Sequence, residues 1–185
     1  IKNTADDKDI IFQSDDGSGG VTDYFRLDGS SSRIEVAKNM RIADSVSLMI
    51  GGSGDLTLLH DGSNSYIDAN GVGDLYIKQN NNDKDIIFQS DDGSGGTTAY
   101  LTLDGGDTTI KIDQNTRVLD SKYLALGSGS DLQLSHDGSN SKIVANGTGA
   151  LIITQGAADQ DIILKCDDGS GGETAYLTLD GSQGF

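Results

Sequence analysis

The stretch Asp9-Ile10-Ile11-Phe12-Gln13-Ser14-Asp15-Asp16-Gly17-Ser18-Gly19-Gly20 returns as Asp85 to Gly96 and, slightly altered, as Asp161 to Gly172. The step is 76 residues both times. The same step carries Leu58-Leu59-His60-Asp61-Gly62-Ser63-Asn64-Ser65 onto Leu134-Ser135-His136-Asp137-Gly138-Ser139-Asn140-Ser141. Residues 1–76 laid over 77–152 without a gap match at 43 of 76 positions. The chain therefore reads as a repeat array: a first unit at 1–76, a second at 77–152, and a partial third at 153–185 that matches 77–109. A constant period without insertions suits stacked units that bury their faces only against neighbours. Because the chain starts at Ile1, the equivalent of Ile77, it is expected to be an interior piece of a longer polypeptide.

Composition narrows the class. The formal charge is −16, with 13 basic against 29 acidic residues. That balance argues against nucleic-acid binding, which needs Lys and Arg against phosphate. All the acidic residues are Asp except Glu35 and Glu173, and Asp favours turns and strand ends where Glu favours helix interiors. With 26 Gly, abundant Ser, Asn and Thr, and no Pro, an all-β chain is expected, its strand N–H groups free to bond neighbours. Apolar residues are only 35% and aromatic ones 5%, too few for one copy to bury an ordinary core. Completion of the apolar face by other copies, as in a fibre, is therefore expected. Cys166 stands alone where the other units have Ser14 and Ser90, so no disulfide framework is expected. No apolar run reaches the length of a membrane span, and no membrane insertion is expected.

Eight short alternating segments are predicted in the second unit: 86–90, 100–104, 110–113, 116–119, 123–126, 132–136, 142–145 and 151–155. Leu132-Gln133-Leu134-Ser135-His136 shows the pattern, with Leu, Leu and His on one face. Asp-Gly pairs recur between segments, as at Asp16-Gly17, Asp28-Gly29 and Asp61-Gly62. They fit either tight hairpin turns or the corners of a β-helix, since Gly supplies positive φ in both. The unbroken period favours a stack, and no sub-period of about 20 residues, the length of one coil, divides it. Three chains around one axis remove the need for such a sub-period.

The strings DIIFQSDDGSGG with AYLTLDG, and LxLxHDGSNSxI followed by ANGxGxLxI, resemble repeats in the shaft regions of tail-fibre and related structural proteins of tailed phages, especially marine ones. The resemblance covers nearly the whole chain. It implies an elongated β-helix or triangular β-prism fibre, an intertwined homotrimer located in the virion tail, outside the cell. Its partners would be two further copies of itself, neighbouring virion tail proteins and, through a distal tip, a host-surface glycan. The implied function is a shaft segment spacing the virion from the host surface. The alternative is a glycan- or surface-binding repeat module of an extracellular adhesin or monomeric β-solenoid, in which repetition turns weak sites into avidity.

Candidate chemistry is weighed against that. His60 and His136 are the only histidines, at equivalent positions. Three copies of each at an axis could ligate a metal, yet the residue two back is Leu58 or Leu134 and offers no second ligand. Packing at a strand end with a hydrogen bond to the following Asp-Gly corner is expected instead. The Asp-Asp-Gly-Ser-Gly-Gly loops cluster oxygens suited to calcium but depart from EF-hand spacing, and are read as solvated corners. Tyr24, Tyr100 and Tyr176 recur at the common step and are expected to pack inward rather than serve as sugar platforms. No nucleophile elbow, HExxH or phosphate loop occurs, so no enzyme, catalytic residue, cofactor or metal site is assigned.

Overall fold

The structure is a computed structural model and describes residues 1–183 of the 185-residue chain. It is all-β, with no helix among the described residues. Two compact units are present, Ile1–Lys78 and Gln79–Phe185. In the first, β1 (Ile10–Asp15), β2 (Val21–Asp28) and β3 (Arg33–Val36) form one sheet, and β4 (Leu48–Ile50), β5 (Leu56–His60) and β6 (Ser65–Ala69) a second. In the second unit β7 (Ile86–Asp91), β8 (Thr97–Asp104) and β9 (Thr109–Ile112) repeat the first sheet. There β10 (Tyr123–Leu126), β11 (Leu132–His136) and β12 (Ser141–Ala145) repeat the second, and β13 (Ile162–Asp167) with β14 (Glu173–Leu179) begins the pattern again. Every pairing joins consecutive strands antiparallel, so the contacts are local.

The Asp-Gly pairs serve as hairpin turns. Between β1 and β2 the carboxylate Oδ1 of Asp16 accepts hydrogen bonds from Ser18 N at 2.7 Å, Ser18 Oγ at 2.8 Å and Gly20 N at 3.0 Å. Gly17 and Gly19 take φ of 81° and 90°, the left-handed region that costs a residue with a Cβ. The same carboxylate bonds recur at Asp92 and Asp168. At the far end of each of these hairpins Asp9, Asp85 or Asp161 accepts the N–H of Gly29, Gly105 or Gly181, each at 3.0 Å, and ties the base shut. One short side chain at each end thus fixes the hairpin by hydrogen bonds to its backbone.

Register shifts once in each of these hairpins. Phe12 pairs with Phe25 and Gln13 with Asp23, which leaves Tyr24 as the extra residue of a β-bulge. Tyr100 and Tyr176 occupy the same place in the later copies. This corrects the expected inward packing of the three tyrosines. The residue two positions on is Arg26, Thr102 or Thr178, and the bulge takes the ring out of the strand's alternation. Each phenol donates instead to a loop carbonyl, Tyr24 to Asp15 O at 3.2 Å, Tyr100 to Asp91 O at 2.9 Å and Tyr176 to Asp167 O at 3.1 Å.

Six of the eight segments predicted for the second unit are strands, and 116–119 and 151–155 are not. A strand needs a neighbour to bond, and the local hairpins offer those two segments none. Their apolar residues stand open, with Leu119 at 65% and Ile152 at 78% exposure.

No hydrophobic residue among those described is buried, and Thr102 alone reaches 8% exposure. The chain exposes 15200 Å² at a mass of 19.3 kDa. A compact protein of that mass exposes roughly 8,500 Å² and its unfolded chain roughly 28,000 Å². The chain thus buries less than half of its unfolded surface, where a domain of similar length buries about 70%.

Candidate functional site

Strand pairing determines what each sheet presents, because residues directly opposite in an antiparallel pair project to the same side. In the first sheet Ile10, Leu27 and Ile34 are aligned, as are Phe12, Phe25 and Val36. The two phenylalanine rings stack with centroids 4.2 Å apart. In the second sheet Leu48, Leu58 and Ile67 are aligned, then Ile50, Leu56 and Ala69, with His60 opposite Ser65 at the edge. The third sheet aligns Ile86, Leu103 and Ile110, then Phe88, Leu101 and Ile112. The fourth aligns Leu124, Leu134 and Ile143, then Leu126, Leu132 and Ala145. The fifth pairs Ile162 with Leu179 and Leu164 with Leu177.

Only Ser, Thr, Cys and the two histidines interrupt these apolar rows: no Asp, Glu, Lys or Arg of the paired strands stands on this side of any sheet. In a chain of charge −16 that segregation is a structural property of every sheet. Nothing among the described residues buries it. Phe25 is 40% exposed, Leu134 39% and Ile143 64%.

The opposite side carries the charges and pairs some of them locally. Arg26 meets Glu35 across β2 and β3 at 2.5 Å and lies 3.8 Å from both Asp9 and Asp28. In the second copy Thr102 replaces Arg26 and Lys111 replaces Glu35. Lys111 turns to Asp104 at 2.5 Å and Asp107 at 2.9 Å, while Thr102 Oγ1 donates to Asp113 at 3.1 Å. Isolated apolar residues such as Ile11, Ile87 and Ile163 interleave with these groups.

The predicted chemical candidates fall into place on this frame. His60 Nδ1 lies 3.1 Å from Ser65 Oγ and His136 Nδ1 3.2 Å from Ser141 Oγ. Each ring thus meets the serine across its hairpin, in place of the expected bond to the Asp-Gly corner. The corner aspartate is occupied by the turn itself: hydrogen bonds from Asn64 N, Ser63 N and the Tyr66 hydroxyl hold Asp61 down at about 2. The N–H of Ser31 and the hydroxyl of Ser30 likewise hold Asp28 at about 2. In the Asp-Asp-Gly loops Asp16 is lowered mainly by the Ser18 N–H, and Asp168 mainly by the Ser170 hydroxyl. These carboxylates are therefore turned onto backbone N–H groups of their own loop. No group of three or more His, Cys, Asp or Glu suited to a metal ion occurs among the described residues.

Open grooves lie beside the sheets, one lined by Ile50, Leu56, Ala69 and Val72 and its counterpart by Leu132, Ala145, Thr148 and Leu151. They recur with the repeat, and Asp55, Asp74 and Asp131 line them beside the apolar residues. What sequence reading missed is the separation of charge through the whole of β2, β8 and β14, because the bulged tyrosine shifts the alternation by one. The signal available was the match of Phe25, Leu101 and Leu177 to the partner-strand residues Phe12, Phe88 and Leu164.

No protein family, curated protein or solved structure matches this chain. The class it defines by its own fold is an all-β repeat protein of small antiparallel sheets, each with one charge-free and uncovered side.

Proposed function

We propose that this chain is a shaft segment of a trimeric phage tail fibre, spacing the virion from the host surface during attachment. The observation that carries this reading is the uncovered apolar side present in every sheet of a chain whose described residues include no buried hydrophobic one. Such a chain is stable only when other polypeptide completes its core. Three copies with one sheet each turned to a common axis make a triangular β-prism, with the charged sides outward and hydrated. Segments 116–119 and 151–155 pair with no strand among the described residues, and in an intertwined fibre they pair with a neighbouring copy.

A mechanical role also accounts for the loops. Their carboxylates and serines are spent on their own turns, which suits a corner and leaves little to recognise a ligand. The function is stiffness and length, so the chain needs no catalytic group, cofactor or metal. Deletion of residues 77–152 from the fibre tests this. Electron micrographs are expected to show a shorter rod of the same width, with host attachment retained. Loss of attachment by a fibre that still assembles would place recognition in the repeat and overturn the spacer reading.

A further inference from the structure

We propose that Asn70 and Asn146 are sites of spontaneous deamidation in the folded chain, each converted to a mixture of aspartate and isoaspartate where the chain leaves a sheet. The proposal stands on the local geometry of each repeat and is independent of the fibre reading.

These are the only asparagines followed by glycine. They come directly after β6 and β12, are exposed, and lead into Gly71-Val72-Gly73 and Gly147-Thr148-Gly149, which carry no strand. Such segments open locally at little free-energy cost. Asparagine is a thermolabile side chain. In the reaction the main-chain nitrogen of the following residue gives up its proton to hydroxide and attacks the side-chain carbon Cγ. The new C–N bond closes a succinimide, the bond from Cγ to Nδ2 breaks, and ammonia leaves with a proton from water. Water then opens the ring at either carbonyl. Each site consumes one water and releases one ammonia, with no oxidant and no cofactor.

Two features of the fold expose that nitrogen to reaction. The first is that glycine is required there. A Cβ added to Gly71 would stand 2.8 Å from Asp55 Cβ, and one added to Gly147 would stand 2.7 Å from Asp131 Cβ. Close approach of Asp55 or Asp131 thus fixes the least hindered residue next to each asparagine. The second is that the nitrogen is weakly held. The carbonyl of Asp55 accepts Asn70 N at 2.7 Å but Gly71 N at 3.2 Å, and that of Asp131 accepts Asn146 N at 2.7 Å but Gly147 N at 3.3 Å. The longer bond of each pair lies at or past the far end of the ordinary range.

The Asp-Gly pairs could cyclise in the same way, but the turns hold them differently. Gly17, Gly29, Gly93, Gly105 and Gly181 each donate N–H to a carboxylate at 3.0 Å. An anion at that distance strengthens the bond and opposes loss of the proton. The carboxylates of Asp16 and Asp92 also accept N–H groups of their own loops, which keeps them ionised and their oxygens poor leaving groups. The contrast singles out Asn70 and Asn146. Isoaspartate there adds a carbon to the main chain, so the two N–H groups no longer fit the one carbonyl that now accepts both.

The wild-type chain is to be aged in heavy-oxygen water at neutral and at mildly alkaline pH, folded in one sample and unfolded in urea in another, then digested and read by mass spectrometry. Label is expected at residues 70 and 146 of the folded chain, faster at the higher pH and with isoaspartate in the product. Unfolding removes the bonds to Asp55 and Asp131 and is expected to raise both rates roughly two- to tenfold. Asn70→Gln is expected to abolish label at 70 and leave it at 146, because glutamine must close a larger ring. Label at Asn64, at Asn140 or at the Asp16-Gly17 pair as fast as at Asn70 would overturn the selection of these two sites. A folded chain left unlabelled at both sites while the unfolded chain is labelled would overturn the proposal itself.

Discussion

The two sides of each sheet are built on opposite principles. The charged side of the first and third sheets is paired within the chain: Arg26 finds Glu35, Lys111 finds Asp104 and Asp107, and Thr102 finds Asp113. The apolar side is open, with rows of Ile, Leu and Phe that no described residue buries. The difference teaches that the hairpins of one chain take shape without a hydrophobic core. Local turns and ion pairs shape the hairpin, and the described residues leave the apolar rows exposed.

The largest effect is expected from exchanging these principles within one strand. Gln133 and Leu134 are neighbours in β11 on opposite sides. Leu134→Asp is expected to abolish assembly, since an unpaired carboxylate in an apolar interior costs several kcal/mol for each copy. Gln133→Asp and the loop variant Ser139→Asp are expected to assemble as wild type in sedimentation. Equal behaviour of the two β11 variants would mean that the sides are not distinct.

A smaller effect belongs to the turns, which lie outside both faces. Gly17 has φ of 81° with open space around its Cα, so a substitution there meets strain rather than a clash. Gly17→Ala is expected to cost about 1–2 kcal/mol per copy. Thermal melting should fall while the assembled mass stays unchanged. A change of mass would tie the loops to the interface.

Acid probes the same turns. Asp28 and Asp61 are held at about 2 by their turn hydrogen bonds, below the ordinary 3.8. A depressed native value means stability fully present above about pH 4 and lost as the pH falls toward 2. Melting temperature is expected to drop across that window, and Asp61→Asn to flatten the drop. A loss of melting temperature confined to higher pH would point away from these carboxylates.

The smallest effect is expected where the two repeats differ. Glu35→Gln removes the Arg26 partner that the second copy does without, and exposed pairs contribute little. A slight loss of stability that vanishes at high salt is expected in calorimetry. A large loss would mean that the charged side is itself buried in the assembly.

Much of this was legible in the residues. The recurrent Asp-Gly pairs and alternating runs marked strands separated by turns, while leaving hairpin turns and β-helix corners as alternatives, and Leu58 with His60 against Thr57 with Leu59 showed the two sides of β5. Two features were not legible. The bulge at Tyr24, Tyr100 and Tyr176 adds one residue to a strand, which alternation alone cannot register. The segments at 116–119 and 151–155 carry strand chemistry, yet pairing depends on a neighbour that sequence pattern does not name. The serine partners of His60 and His136 were hidden for a related reason, since cross-hairpin contacts depend on turn length.

The mass of the wild-type chain in solution at micromolar concentration tests the central claim most directly. Light scattering is expected to give three times 19.3 kDa, and a folded species at 19.3 kDa would contradict the claim that the apolar sides are completed by copies of the chain.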